Sequence, residues 1–122
     1  MNKYHNRQTQ VDGLHFDSQR EAQRYCDLSL LQRAGHISNL ELQKTYELIP
    51  AQYETFPRFG KTGQRLKDGR RCVEKAVTYV ADFVYLQAGK LIVEDAKGIK
   101  TPEYIIKRKL MLYIHGIRVH EV

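Results

Sequence analysis

Residues 79–98 read Tyr-Val-Ala-Asp-Phe-Val-Tyr-Leu-Gln-Ala-Gly-Lys-Leu-Ile-Val-Glu-Asp-Ala-Lys-Gly. Two runs rich in Val, Tyr, Phe and Ile flank a short polar turn that contains a glycine, a pattern typical of a β-hairpin. With the turn at 87–90, Leu86 faces Leu91 across the two strands. The stretch therefore predicts a hairpin at the centre of the fold.

Continuing this register backward pairs Val84 with Val93 and Asp82 with Asp95. Directly opposed residues on one face have β-carbons about 4.5–5.5 Å apart, and like charges placed there destabilise a sheet. A positive charge is therefore expected between the aspartates. Lys97 points to the same face as Asp95 because it lies two residues further along the strand. A hard divalent cation bound by both carboxylates fits better than one lysine.

This metal site depends on the register of the hairpin. A loop one residue longer or shorter, without a bulge, places Asp82 and Asp95 on opposite faces. Glu94 points away from the face of Asp95, so it is the weaker ligand candidate.

Length, composition and charge limit the class of protein. The 122 residues form one domain with 42% hydrophobic and 28% charged residues, which is ordinary for a globular protein. The net charge of +6 indicates an anionic partner, and nucleic acid is the default choice. The alternative is a basic surface that binds nothing.

The sequence also indicates a compartment. No apolar run approaches the roughly 20 residues of a membrane span, and the polar amino terminus lacks a signal-peptide core. Cys26 and Cys72 are the two cysteines, and they lack metal-finger spacing. We therefore expect a cytoplasmic protein in a reducing environment, without zinc and without a membrane partner.

A first helix is predicted over about 19–34. Ser18 is a good N-cap, Glu21 completes a capping box, and Gly35 supplies the stop. The apolar stripe is expected to consist of Ala22, Tyr25, Cys26, Leu28, Leu30 and Leu31. Local pattern favours Glu21 as a capping residue alone, and the alternative is that it leans over the sheet as a third carboxylate.

A strand is predicted over 37–49, in which Gln43 is expected to be a solvent-facing residue. Residues 51–76 are the least regular part of the sequence, with glycines, aromatic residues and many basic side chains. A flexible basic arm of this kind suits phosphate contact and base stacking. The alternative is a long hairpin whose charged tip is simply solvated.

A second helix is predicted from Pro102, with Thr101 as N-cap, to about His115, with Gly116 as its stop. Its apolar stripe is expected to consist of Ile106, Leu110, Tyr113 and Ile114. A last strand is expected over 117–122. The predicted strands near 80 and 93 carry apolar residues on both faces, so we predict an α/β domain with a mixed central sheet flanked by helices.

Basic residues in two regions are the candidate DNA contacts. Those of the arm are Arg58, Arg70 and Arg71, and those around the second helix are Lys100, Lys107 and Lys109. For the cluster on the helix, the alternative is a solvated face.

Phosphodiester hydrolysis needs an attacking water, a metal that organises it, and positive charge near the phosphorus. Asp82 and Asp95 would bind Mg²⁺ or Mn²⁺, with the Ala96 carbonyl as a further oxygen ligand. Lys97 would orient or deprotonate the water. Glu21 would add a ligand or hold a water on the metal.

Asp82 followed by Asp95-Ala96-Lys97 resembles the PD-(D/E)xK phosphodiesterase motif of many restriction enzymes, Holliday junction resolvases and transposon end-cleaving nucleases. The chain is more closely similar to small phage and prophage proteins of this superfamily. The segments that carry the similarity are Asn2-Lys3-Tyr4, Asp12-Gly13, Phe16-Asp17-Ser18, Glu21-Ala22, Arg24-Tyr25, Leu28, Leu40-Glu41-Leu42-Gln43, Tyr79, 81–85, 93–98 and Lys100-Thr101. One departure is Ala81, which stands where the family name has proline.

The resemblance implies a restriction-endonuclease-like core, a catalytic trio of Asp82, Asp95 and Lys97, and Glu21 as the acid of the first helix. It predicts a Mg²⁺- or Mn²⁺-dependent DNA endonuclease of phage or prophage origin, acting on branched DNA in the bacterial cytoplasm. A resolvase-like enzyme of this size is expected to work as a homodimer, because two symmetric cuts need two sites. The alternatives are a non-catalytic nucleic-acid-binding module and a phage packaging or assembly accessory protein.

Overall fold

The computed structural model describes residues 9–122, which form eight strands and two helices. The strands are β1 (Thr9–Val11), β2 (Leu14–Phe16), β3 (Ser38–Ile49), β4 (Gln52–Phe59), β5 (Arg65–Glu74), β6 (Val77–Gln87), β7 (Lys90–Asp95) and β8 (His120–Glu121). The helices are α1 (Gln19–Arg33) and α2 (Pro102–His115). The segment Asn2-Lys3-Tyr4, which contributes to the resemblance, lies outside the described residues.

A mixed four-stranded sheet forms the centre, in the order β3-β6-β7-β8. The β3–β6 and β6–β7 pairs are antiparallel, whereas β7 and β8 are parallel. Helix α1 packs with Phe83 and Tyr85 of β6, and α2 packs with Val84 and Val93 in a second core. The predicted mixed α/β domain, with apolar residues on both faces of the central strands, is confirmed.

The register predicted for the central hairpin is confirmed. Leu86 pairs with Leu91, Val84 pairs with Val93, and the last pair before the strands separate is Phe83 with Glu94. The turn has positive φ angles at Ala88 (50°) and Gly89 (77°), which is the backbone of a tight type I′ connection. The next step of this register brings Asp82 and Asp95 opposite each other.

The ends of both helices follow from their capping residues. Ser18 Oγ accepts a hydrogen bond from Glu21 N at the start of α1, and Thr101 Oγ1 accepts one from Tyr104 N at the start of α2. Gly116 closes α2 with a φ of 67°, in the left-handed region that glycine tolerates best. None of the described helices combines the length and apolar character needed to cross a membrane.

The predicted apolar stripe of α2 is wrong for three of its four residues, since Leu110 alone of the four packs against the core. The buried residues of this helix are Tyr104 and Met111, whereas Ile106, Tyr113 and Ile114 are exposed. Apolar residues occur almost all round α2, so the spacing alone offers two stripes and the docking angle on the sheet selects one. In α1 the predicted stripe fails at Leu30, which is 61% exposed, whereas Leu31 packs against the core.

Two further predictions need correction. The last strand is His120–Glu121, with Val122 N donating to the Asp95 carbonyl, so it is shorter than 117–122. Residues 52–74 are an antiparallel hairpin of β4 and β5, with register shifts between Gln52 and Tyr53 and between Phe56 and Arg58. This agrees with the long-hairpin alternative for the basic arm. This hairpin forms its own two-stranded sheet, separate from the central one.

Candidate active site

Acidic side chains from three elements meet where the central hairpin opens. Glu21 comes from the first turn of α1, Asp82 from β6 and Asp95 from the end of β7. A cavity of about 220 Å³ lies beside them. Its lining consists of Asp17, Ser18, Glu21, Asp82, Ala96, Lys97, Gly98, Ile99, Thr101 and Tyr104. The structure therefore brings Glu21, Asp82 and Lys97 to one cavity.

Asp82 is half-buried, and both of its oxygens have donors. Oδ2 accepts a hydrogen bond of 2.9 Å from the backbone N–H of Ala96, and Oδ1 accepts one of 3.3 Å from Gln43 Nε2. The first bond ties β6 to the residue that follows β7. Asp82 is thereby held beside Asp95, as the hairpin register predicts.

Asp95 is completely buried and only partly satisfied. Its Oδ2 accepts a hydrogen bond of 2.5 Å from the Tyr79 hydroxyl. Its Oδ1 lies 3.2 Å from Lys97 Nζ, but no well-formed hydrogen bond reaches it from any described residue. The prediction that Lys97 shares a face with Asp95 is confirmed. A buried carboxylate oxygen without a hydrogen-bond donor is uncommon and needs a physical explanation.

Gln43 is a member of this site that the sequence analysis missed. It is exposed, as predicted, but its Nε2 also donates to Glu21 Oε1 at 3.0 Å and to Asp82 Oδ1 at 3.3 Å. Its φ of 54° lies in the left-handed region, which is uncommon for a residue other than glycine within a strand. The one signal in the sequence was an amide among the apolar residues of β3.

Glu21 uses its backbone and its side chain for different purposes. Its N–H is bound by the N-cap Ser18, whereas its buried side chain reaches Gln43 on β3. The local interpretation, in which Glu21 only caps α1, is therefore incomplete. The alternative, a third carboxylate leaning over the sheet, agrees with this contact.

The acids disfavour one another's ionised forms. Burial, followed by the neighbouring carboxylates of Asp95 and Glu21, raises the pKa of Asp82 to about 8. Burial, followed by the charge of Asp17, raises the pKa of Glu21. The site thus concentrates negative charge that a cation or a proton must offset.

The fit of a metal ion rests on the Asp82–Asp95 pair. Within residues 9–122, no group of three or more His, Cys, Asp or Glu side chains is arranged to hold a metal. Mg²⁺ needs only one or two carboxylates, because it keeps several of its waters. Asp95 Oδ1, which lacks a hydrogen-bond donor, has the chemistry of such a ligand, whereas Glu21 is already bonded to the Gln43 amide.

Glu94 lies on the opposite face of β7 and is fully engaged there. Arg24 donates to its two oxygens at 2.7 and 2.6 Å, and the Tyr85 hydroxyl donates to Oε2. Burial, followed by the hydrogen bond to Glu94, raises the pKa of Tyr85 to about 12, so this phenol stays a neutral donor. As predicted, Glu94 points away from the face of Asp95.

The predicted DNA contacts fall into two regions outside the cavity. Arg58, Arg70 and Arg71 lie on the β4–β5 hairpin. Around α2, Lys100 pairs with Glu121 at 3.3 Å and Lys107 with Glu103 at 3.1 Å. Lys107 also lines a cavity of about 280 Å³ next to the acidic one. Lys109 lines a further cavity, on the side of α2 that faces Arg118.

Fold and site together define a small mixed α/β domain with an acidic cavity at the open end of its central hairpin. A family model described as Protein of unknown function (DUF1064) matches residues 1–120. The chain therefore belongs to this family. No curated protein and no solved structure matches it.

Proposed function

We propose that this protein is a metal-dependent DNA endonuclease with a restriction-endonuclease-like core of the PD-(D/E)xK type. The observation that supports the proposal is that Asp82 and Lys97 line one cavity, and that the buried Asp95 has its Oδ1 3.2 Å from Lys97 Nζ without a well-formed hydrogen bond. One ammonium group, that of Lys97, faces the two aspartates, so a further cation would lower the cost of burying their negative charge. Mg²⁺ or Mn²⁺ is the cation that its oxygen ligands favour.

Asp82 and Asp95 would hold the ion, and the Ala96 carbonyl is a further oxygen nearby. When bound, Mg²⁺ or Mn²⁺ supplies Lewis acidity at the scissile phosphate. The N–H of Ala96 orients Asp82, and the Tyr79 hydroxyl orients Asp95. These bonds keep the carboxylates fixed before substrate arrives, which lowers the reorganisation that the reaction requires.

Lys97 is the positive group of the proposed catalytic set. Its Nζ lies 3.2 Å from Asp95 Oδ1 and 4.7 Å from the centre of the Tyr104 ring. A phosphate that enters the cavity meets this ammonium group, which offsets the charge that develops on the phosphate oxygens. Lys97 would also orient the attacking water, and only its neutral amine form could deprotonate that water. Glu21, held by Gln43, is the further acid that binds a water or the ion.

The net charge of +6 favours a DNA substrate. We propose branched DNA, such as a four-way junction, as the preferred form, with phage or prophage DNA metabolism in the bacterial cytoplasm as the setting. Two symmetric cuts in a junction need two sites, so the working form is a homodimer. Lys100, Lys107 and Lys109 supply basic side chains around α2 for contacts with the substrate phosphates.

Cleavage assays test the proposal directly. Plasmid, linear and four-way-junction DNA are incubated with the protein in Mg²⁺, Mn²⁺ or EDTA. We expect metal-dependent cleavage that Asp82→Asn and Lys97→Ala abolish. Asp27→Asn and Lys90→Ala are matched controls, because both residues are exposed and lie outside the cavity lining. Absence of cleavage with either metal, or cleavage that survives Asp82→Asn, contradicts the proposal.

A second function is a nucleic-acid-binding module without catalysis. It is favoured by one observation, that no ready three-ligand metal cluster exists among residues 9–122. The same cleavage experiment separates the two functions. DNA binding without cleavage in either metal supports the module, and metal-dependent cleavage excludes it as the whole function.

A further inference from the structure

The β4–β5 hairpin has contacts almost entirely within itself. Its two strands pair from Gln52 with Glu74 to Phe59 with Arg65, and they pack against no other element to a comparable extent. A lone two-stranded hairpin is marginally stable in water because it buries little surface. Its eight-residue β4 nevertheless spans roughly 26 Å. A projecting ribbon of this length needs an explanation other than the core.

Arginine–aromatic contacts stabilise the ribbon from within. The Arg70 guanidinium lies 3.6 Å from the centre of the Tyr53 ring, and that of Arg71 lies 4.5 Å from the Phe56 ring. The Phe56 ring also covers Gly69, where an added Cβ would lie 2.2 Å from it. A guanidinium stacked on a ring keeps its N–H edge free to bind phosphate. Arg70, which has no ion pair among the described residues, is therefore held ready for an anion, whereas Arg71 already pairs with Glu54.

Both faces of the ribbon are basic. Alternation along β4, with the observed pairing, places Arg58 and Arg71 on one face with Phe56. The same register places Arg70 and Arg65 on the other face. A ligand that covers a flat surface needs only one of these faces. Positive charge on both faces of the ribbon fits a ligand that has negative charge on each side of the ribbon.

The hairpin holds a large share of the protein's charge. Residues 52–74 contain six Arg or Lys and three Asp or Glu, so they supply half of the net charge of +6. Two arginines form ion pairs within the hairpin, Arg71 with Glu54 at 2.8 Å and Arg65 with Asp68 at 2.5 Å. The other four cations of the hairpin form no ion pair with any of residues 9–122. They are Arg58, Lys61, Lys67 and Arg70.

We propose that the β4–β5 hairpin inserts lengthwise into the major groove of duplex DNA, where its two basic faces meet the phosphates of the two strands. The major groove of B-DNA is about 12 Å wide and admits a two-stranded ribbon, whereas the minor groove is about 6 Å wide. The major groove of an RNA duplex is too narrow for this. The inference rests on the proposed function in taking DNA as the substrate, and it adds the element that binds it.

The hairpin and the acidic cavity are close enough to share one duplex. The hairpin leaves the central sheet after Ile49 of β3 and returns at Val77 of β6. Asp82 lies five residues further along β6, a distance of roughly 17 Å on an extended strand. One turn of B-DNA is about 34 Å. The base of the ribbon thus lies within one turn of B-DNA from Asp82, and its tip, roughly 26 Å further out, lies within two turns.

The test measures binding rather than cleavage. A fluorescent DNA duplex is titrated with the whole chain in EDTA, and anisotropy is followed across a series of salt concentrations. The hairpin variant is Arg58→Ala with Lys67→Ala, and the matched control is Arg33→Ala with Lys90→Ala, which removes two exposed charges elsewhere. A charge-conserving variant, Arg58→Lys with Lys67→Arg, shows whether the hairpin tolerates substitution at these positions.

We expect the hairpin variant to lose at least tenfold in affinity and to lower the salt slope by about 1.8, since each phosphate contact contributes about 0.9. The control and the charge-conserving variant are expected to stay within about threefold of the wild type, and a duplex RNA of equal length is expected to bind at least tenfold more weakly. Equal losses in the hairpin and control variants overturn the inference, as does equal affinity for the RNA duplex.

Failure of the proposed function is a separate outcome. Hairpin-dependent binding with no cleavage in Mg²⁺ or Mn²⁺ overturns the nuclease and leaves the groove-binding hairpin standing. Metal-dependent cleavage without hairpin-dependent binding does the reverse.

Discussion

Glu94 and Asp95 are neighbours at the end of β7, and they lie in opposite electrostatic environments. Both are almost fully buried, at 2% and 0% exposure. Glu94 receives two hydrogen bonds from Arg24 and one from Tyr85. Asp95 receives one from Tyr79, and its other oxygen lies 3.2 Å from Lys97 Nζ without a well-formed hydrogen bond from any described residue. One face of the strand is therefore electrostatically complete and the other is open.

The difference separates a structural carboxylate from a functional one. A buried acid with a bidentate arginine joins two elements, here α1 and β7, and leaves nothing for a ligand to bind. A buried acid with a free oxygen beside a second acid stores an unfavourable charge that a ligand relieves. Burial alone does not distinguish the two residues, but their hydrogen-bond partners do.

The largest effect is expected on the open face. Asp95→Asn removes one charge from the site and leaves a shape of nearly the same size. We expect cleavage to fall by about a thousandfold, because transition-state stabilisation at the phosphate depends on the ion it helps to hold. Thermal unfolding is expected to show no loss of stability. A variant that cleaves at the normal rate would contradict the functional assignment of this face.

On the face of β7 that carries Glu94, we expect substitution to lower stability. Arg24→Met leaves the buried Glu94 without its cation, which we expect to cost about 3 kcal/mol of unfolding free energy in urea titrations. Arg33→Met, at an exposed position of the same helix, is the matched control and is expected to change little. The double variant Arg24→Met with Glu94→Leu is expected to recover much of the loss. Equal stability of the two single variants would remove the contrast between the faces.

Gln43 bridges Glu21 and Asp82 beside the acidic cavity, and a smaller effect is expected there. Gln43→Ala removes the amide that bonds Glu21 and Asp82, and we expect about a tenfold loss of cleavage, typical of residues that orient ligands. Gln43→Gly loses the same amide but accepts the φ of 54° without strain. The glycine variant is therefore expected to be the more stable of the two. A higher melting temperature for Gln43→Ala than for Gln43→Gly would show that the left-handed backbone at this position is not strained.

A further effect is a pH dependence of stability on the open face. The pKa of Asp82 is raised to about 8 by burial and by neighbouring carboxylates, whereas an unfolded Asp has a pKa of about 3.9. Between these values the folded protein holds a proton that the unfolded chain has lost, so the unfolding free energy falls as pH rises.

We expect the melting temperature in EDTA to fall by several degrees from about pH 5 to about pH 8, and Asp82→Asn to flatten this slope. Mn²⁺ is expected to raise the melting temperature more at the higher pH, because the ion replaces the proton. A melting temperature that rises with pH across this window would show that Asp82 is ionised in the folded state without a metal.

Local signals predicted the elements around the site. The register of the central hairpin followed from the residues of its turn, because a short connection allows few pairings. The helix ends followed from Ser18, Thr101 and Gly116, because capping uses residues adjacent in the chain. The acidic pair and Lys97 followed from that register together with the alternation of side chains along a strand.

Other features depended on contacts between distant parts of the chain. The stripe of α2 was wrong for three of its four residues because its apolar residues allow more than one buried face, and the position of the sheet selected Tyr104 and Met111. The role of Gln43 was missed because it needs a left-handed backbone angle in β3 and two partners, 22 and 39 residues away. No local pattern encodes such a contact.

The amino-acid sequence by itself determined the central hairpin, the helix boundaries and the presence of two aspartates and a lysine on one side of the sheet. Each of these depends on interactions between residues close in the chain. Only the tertiary structure decided that Glu94 is neutralised by Arg24 while Asp95 keeps an open oxygen. Hydrogen bonding in a buried site depends on which elements pack together, and that packing is set by the whole fold.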